Sequence, residues 1–373
     1  MSRWPVTAKG ETTRLHERKV RAGQRLLIGI PGPSLDDATR GLIRQIQPAG
    51  VILFARNVEE PAQVLELNRE LASLLPAEFP LLLSVDQEGG RVQRVKDGAS
   101  LLPPLRWLGN LQDLDMTRRY ATLLANEVRA MGFHLNWAPV ADVDSNPDNP
   151  IIGDRAFSRD PHAVAKHVVA YIEASHAAGL MTCAKHFPGH GETATDSHLT
   201  LPVVEKDPPD LERCELVPFV AAARAGVTSM MTAHVVFPGW DEDVPATMSP
   251  AILNGILRER LGYQGLIVSD DLEMKAVRGR YPLDHQLRSA VRAGVDQFLV
   301  CKEPTLQLEA FEALVRLQED DAGHDDAAKA SMKRLLAARE AFLLDAPAAP
   351  GLEVLNSREH KDLVALIRER GAA

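Results

Sequence analysis

Residues 161–187, PHAVAKHVVAYIEASHAAGLMTCAKHF, contain one complete helix-to-strand unit. Apolar residues recur at helical spacing from Pro161 to Ala178, a glycine follows, and Leu180–Phe187 is a short apolar run of the kind that a fully buried strand carries. Gly179 fits the left-handed stop that closes many helices. The same Ala-Gly-apolar signature returns in RAGV at 224–227 and again at 292–295. Outward from this unit, eight strand runs can be counted: RLLIGI (25–30), GVILFA (50–55), PLLLSVD (80–86), HLNWAPVADV (134–143), LMTCAKHF (180–187), TSMMTAHVVF (228–237), GLIVSDD (265–271) and DQFLVC (296–301). Between them, helical periods cover Leu35–Gln47, Pro61–Leu75, Asp115–Met131, Pro161–Ala178, Leu211–Ala225, Pro250–Arg260 and Leu283–Ala293. Buried strands alternating with helices predict an α/β fold with a parallel sheet, and eight such units close a (β/α)8 TIM-type barrel. A doubly wound open sheet is the competing architecture. It calls for a glycine-rich phosphate turn after the first strand, and IGIPGPSLDD (28–37) lacks the GxGxxG spacing.

Beyond Cys301 the pattern is helical from Leu306 to Leu344, and a Pro-Ala linker, APAAPG (346–351), precedes a last charged helix. Residues 1–345 are expected to form one barrel domain with its terminal helices, and 346–373 a linker and helix packed on it. The 373 residues are 45% hydrophobic and 25% charged, an ordinary globular composition. A net charge of −9 and a pI near 5.8 argue against a nucleic-acid partner, which needs clustered Lys and Arg. Cys183, Cys214 and Cys301 are too scattered for a disulfide framework. The first residues lack an apolar leader core, and nowhere do about 18 apolar residues run together. A soluble cytoplasmic protein without a membrane partner, monomeric or weakly dimeric, is expected.

Polar residues gather at the ends of the strand runs, where barrel enzymes keep their working groups. Arg56-Asn57 end the second run, Asp86 to Arg94 the third, Asp142-Val143-Asp144 the fourth and Ser269-Asp270-Asp271 the seventh, while His234 lies in the sixth. The fifth opens KHFPGHGETATDSH (185–198), which continues without helical or strand period to Pro209. A loop of about 20 residues usually has a function. Zinc is a poor fit: His186 and His190 are four apart, but Pro188-Gly189 breaks the helix that would align them. A barrel metallohydrolase stays as an alternative, although no HxH pair lies on the first strand. Asp196 and His198, two apart, share one side of an extended backbone, and a carboxylate-held imidazole is suited to giving and taking a proton. With Asp270 as a nucleophile across the rim, the set fits retaining glycoside hydrolysis, although the usual acid there is a carboxylic acid.

KHFPGHG followed by DSH, together with DQEGGRVQR (86–94), IGDRAFS (152–158) and VSDDLEM (268–274), resembles the β-N-acetylhexosaminidase branch of glycoside hydrolase family 3, single-barrel bacterial enzymes of peptidoglycan recycling. The resemblance spans about Leu26 to Cys301, with GVILFARN (50–57) and NWAPVADVD (136–144) in the same style. It implies that Asp270 is the nucleophile, that Asp196 and His198 form the acid/base dyad, and that Asp86, Arg94, Arg155, Lys185 and His186 hold the sugar hydroxyls and N-acetyl group. It also implies a GlcNAc-containing small-molecule substrate, a muropeptide or its disaccharide, and neither cofactor nor metal. Each residue has a plainer rival: Arg94 and Arg155 can pair with rim carboxylates, and Lys185 can be an ion-pair partner. Strand alternation lets only one of Asp270 and Asp271 point inward, and the family motif favours the first. The neighbours Lys185 and His186 raise the same difficulty, so a bulge or twist is expected there. Within the family a β-glucosidase is the rival activity; those relatives usually take a glutamate acid/base from a second domain, for which this chain is too short.

Overall fold

A computed structural model of the protein describes residues 10–193 and 201–372. Its main sheet has eight parallel strands: β1 Leu26–Gly29, β2 Gly50–Leu53, β3 Leu82–Val85, β4 Leu135–Asn136, β5 Met181–Phe187, β6 Ser229–Thr232, β7 Leu266–Val268 and β8 Phe298–Val300. They lie in the order β7-β6-β5-β4-β3-β2-β1-β8. The two ends of that order meet. Val268 bridges Gln297 in parallel, and Ser269 N donates to the Gln297 carbonyl at 2.9 Å. The sheet is therefore a barrel, as the count of strand runs predicts.

Alternation along the strands separates two apolar regions. Leu27, Ile52, Leu82, Leu135, Met181, Met231, Leu266 and Leu299 form one buried cluster, the filling of the barrel. Their neighbours Leu26, Val51, Leu83, Met230, Ile267 and Phe298 belong to the other, which faces the surrounding helices. Leu335, Met332, Phe342 and Leu343 join the inner cluster, so the helix Ala322–Arg339 and the turn after it close the foot of the barrel. Arg339 is fully buried there and donates to the Ala49 carbonyl at 3.0 Å.

The opening unit behaves as its sequence dictates. The helix Pro161–Ala177 carries Pro in its first turn, and Asp160 caps it by accepting from His162 N. Gly179 follows at φ +81°, donating to the His176 carbonyl, while Leu180 N reaches back to Ser175. Gly226 and Gly294 repeat the left-handed stop. Elsewhere the runs overreach: residues 134–143 contain only a two-residue strand before the cis Ala138–Pro139 bond, and 228–237 splits into β6 and a separate pair, Val236–Phe237. The long helical tail is two helices, Pro304–Asp320 and Ala322–Arg339, parted at Asp321, which caps the second. Helices Gly10–Gly23 and Leu105–Leu111 were not expected.

The last helix, Arg358–Gly371, packs on Leu105–Leu111 and Leu114–Ala130. Glu127 fastens it. This buried carboxylate accepts from Ser100 N (2.9 Å) and Oγ (2.6 Å), Asn356 N (2.8 Å) and His360 Nδ1 (2.8 Å). Among the described residues no helix is long and apolar enough to cross a membrane.

Candidate active site

At the C-terminal end of the barrel a cavity of about 280 Å³ is lined by groups on or following strands β2 to β8. One wall is an ionic lattice. Asp86, at the end of β3, accepts from Lys185 Nζ at 2.8 Å and from Arg94 at 3.1 Å. Two residues on, Glu88 takes both arms of Arg155, each at 2.8 Å, and Lys185 Nζ at 2.7 Å. Burial opposes ionisation of both acids, but the cations outweigh it: both carboxyls are held below their ordinary values, Glu88 furthest. The same exchange raises the Lys185 ammonium against its own burial. Asp86, Glu88, Lys185 and Arg155 are thus charged at neutral pH. Lys185 has three N–H bonds and two carboxylate partners, which leaves one donor for a ligand. The plainer pairings are present, and the paired residues also line the cavity.

Lys185 and His186 both line the cavity although they are neighbours on β5. The register of β5 against β6 shifts between Lys185 and Phe187, which is the expected irregularity, and the Lys185–His186 peptide is cis. His186 is held by Asp142 beyond β4: its backbone N and Nδ1 donate to the two carboxylate oxygens at 3.1 and 2.8 Å. Asp142 also accepts from His190 N at 2.7 Å. Burial pushes the Asp142 carboxyl up, and the His186 and His190 groups outweigh that push, so it lies below its usual value. His190 has its ring centre 5.8 Å from that of His186, and burial pushes its imidazole down to about 4. Glu88 and Asp142 have no role assigned from the sequence, where they stand as acids at strand ends within DQEGGRVQR and NWAPVADVD.

Across the cavity stand Asp270 and Asp271. β7 ends at Val268, so strand alternation does not reach them, and both side chains line the cavity. Asp271 N donates to Asp270 Oδ1 at 2.8 Å, and Asp271 Oδ1 accepts from Glu273 N at 3.1 Å. Desolvation pushes the Asp271 carboxyl up to about 7. His234 is buried behind this turn. Its Nε2 donates to the Asp271 carbonyl at 3.1 Å, which leaves Nδ1 to accept from Thr247 Oγ1 at 2.8 Å. It supports the turn from outside the cavity. Asp196 and His198 lie outside the described residues.

Residues 18–337 match the glycosyl hydrolase family 3 N terminal domain. The chain belongs to glycosyl hydrolase family 3. It is a glycoside hydrolase, and its relatives lie in the family's β-N-acetylhexosaminidase branch. A beta-hexosaminidase of Xylella fastidiosa (strain M23) is 42% identical over 303 residues, covering 80% of this chain and 89% of that protein. The structure of a family 3 β-N-acetylglucosaminidase from Paenibacillus sp. str. FPU-7 superposes with a TM-score of 0.90 at 37% identity, over 95% of this chain and 68% of that one. NagZ from Neisseria gonorrhoeae, in complex with N-trifluoroacetyl-D-glucosamine, gives a TM-score of 0.77 at 30% identity over 94% and 98%. For this family 3 hydrolase, strands β3, β4, β5 and β7 thus bring Asp86, Arg94, Arg155, Lys185, His186 and Asp270 to one cavity.

Proposed function

We propose that this hydrolase is a retaining exo-β-N-acetylglucosaminidase that removes terminal β-linked GlcNAc from peptidoglycan fragments, with Asp270 as nucleophile and Asp196–His198 as the acid/base pair. The observation that carries the reading is the meeting of Asp270 with the Asp86, Arg94, Arg155, Lys185 and His186 set in one small cavity. Fixed carboxylates and cations suit sugar hydroxyls and an amide, and the volume suits one terminal sugar. The names of the hexosaminidase and N-acetylglucosaminidase relatives, and the N-acylated glucosamine held by one of them, support the choice of sugar. The three free cysteines favour a cytoplasmic setting.

In this mechanism an Asp270 oxygen attacks the anomeric carbon while the glycosidic oxygen takes a proton from His198 and departs. The glycosyl ester is then attacked by water, whose proton returns to His198, so two inversions give net retention. Asp196 holds the imidazole in the tautomer that the proton transfer needs.

A second reading rests on the Asp142–His186 pair. It is a carboxylate–imidazole couple in the cavity wall, with His186 Nδ1 committed to Asp142 at 2.8 Å and Nε2 left for chemistry. His198→Ala and His186→Ala, each measured on a nitrophenyl β-GlcNAc and on N,N′-diacetylchitobiose, separate the two. Loss of the general acid costs far more with the poor sugar leaving group than with the nitrophenol. We expect that asymmetry, and release of glycosyl azide on adding azide, only for His198→Ala. The same pattern in His186→Ala alone transfers the role to Asp142–His186, and equal losses on both substrates in both variants refute the assignment of an imidazole acid.

A further inference from the structure

The turn after β7 is fixed from behind. The Asp271 carbonyl accepts from His234 Nε2 and from Met274 N, each at 3.1 Å, and Leu272 N donates to the Leu299 carbonyl of β8 at 3.0 Å. The Asp271 N–H is committed to Asp270 Oδ1, and Asp271 Oδ1 to Glu273 N. That leaves Oδ2, with the Cys301 thiol as a weak donor beside the carboxyl. Both Asp271 and Cys301 line the cavity. The acids opposite are answered by cations: Asp86 by Lys185 and Arg94, Glu88 by Lys185 and Arg155, with His186 and His190 on the same wall. Around Asp271, among the described residues, the charged neighbours are Asp270 and Glu273, both acids. Of two adjoining carboxyls without a cation, one keeps its proton. Asp271 is flanked by acids on both sides, and its burial raises it to about 7, so the proton is its own.

We propose that Asp271 is a substrate-binding residue: its Oδ2 carries a hydrogen into the cavity and donates it, as a hydrogen bond, to an oxygen of the terminal sugar. The proposal rests on the reading of the cavity as a GlcNAc site with Asp270 as nucleophile. A group beside the nucleophile lies across the ring from the departing oxygen, so Asp271 is not the acid that protonates it. What it reaches is a ring substituent. A neutral donor there also holds the sugar without setting a second negative charge beside the attacking carboxylate.

Calorimetric titration of the full chain with free GlcNAc at pH 5.5 and pH 8.5 tests it on the parent, Asp271→Asn and Asp271→Ala. Ionisation of the carboxyl removes the donor, so the parent's dissociation constant should rise on the order of 10-fold from the lower pH to the higher. Asparagine keeps an N–H donor and the acceptor for Glu273 N and cannot ionise. Asp271→Asn should therefore bind within about 3-fold of the parent at pH 5.5 and change by less than about 3-fold with pH. Other groups that titrate in the cavity are common to both proteins and cancel in the comparison. Asp271→Ala has no donor at either pH and should bind on the order of 10-fold more weakly than Asp271→Asn at both. Parent binding that is independent of pH, that strengthens as pH rises, or that weakens equally in Asp271→Asn overturns the donor role alone, whether or not Asp271→Ala folds. Absence of GlcNAc binding by the parent at both pH values removes the sugar site beneath it, and the proposal with it.

Discussion

Asp271→Asn separates the paired aspartates by their response to pH. The carboxyl moves from an ordinary 3.8 in the unfolded chain to about 7 in the folded one. Between these values the folded protein keeps the proton that the unfolded chain has released, so rising pH favours unfolding. Stability should fall from about pH 4 to about pH 7 and level off above. At about 1.4 kcal/mol for each pKa unit, the ceiling is about 4 kcal/mol, and contact with the wet cavity reduces it to about 2–3 kcal/mol. Asparagine keeps the acceptor used by Glu273 N and cannot ionise. Urea unfolding at pH 4, 6 and 8 should therefore find the variant equal to the parent at pH 4 and more stable by about 2–3 kcal/mol at pH 8. Turnover of the nitrophenyl glycoside should survive within about 10-fold, whereas Asp270→Asn should lose several orders of magnitude. A stability difference that is the same at all three pH values refutes the desolvated carboxyl. Greater loss of turnover from Asp271→Asn than from Asp270→Asn reverses the choice of nucleophile.

Proton NMR of the first-formed sugar should show the β-anomer, and an initial α-anomer would exclude the covalent route. Glu88→Gln removes the charge that orients Arg155 and Lys185; it should lower kcat/KM by about 10-fold to 100-fold, mainly through KM, as loss of charge-assisted hydrogen bonds predicts, with steady-state kinetics as the check. Glu127→Ala strands Ser100, Asn356 and His360 and should destabilise the protein by about 3–5 kcal/mol, with faster amide exchange across 358–371 than across β2 to β4.

The barrel was legible because its strands are buried on both faces and its helices stop at glycines, two features that period and residue type report directly. The cavity was legible as polar residues at the ends of runs. What escaped was pairing. Glu88 and Asp142 stand in the sequence as ordinary strand-end acids, and only the side-by-side pairing of β3, β4 and β5 sets Glu88 against Arg155 and Asp142 against His186, residues 67 and 44 positions away. The alternation rule failed for Asp270 and Asp271 because β7 stops at Val268, and a buried run gives no sign of where hydrogen bonding ends.

The barrel's seam lies beside one wall of the cavity. Asp86 follows β3 and Lys185 lies on β5, in the middle of the ladder, whereas Asp270 follows β7, whose outer side meets β8 through the Val268–Gln297 bridge. The ionic wall and the proposed nucleophile therefore rest on separate parts of the scaffold. On the proposed reading, variation in the loops after β3 and β5 retunes which glycoside is accepted while Asp270 keeps its footing, and a library confined to those loops should yield altered preference more often than dead protein.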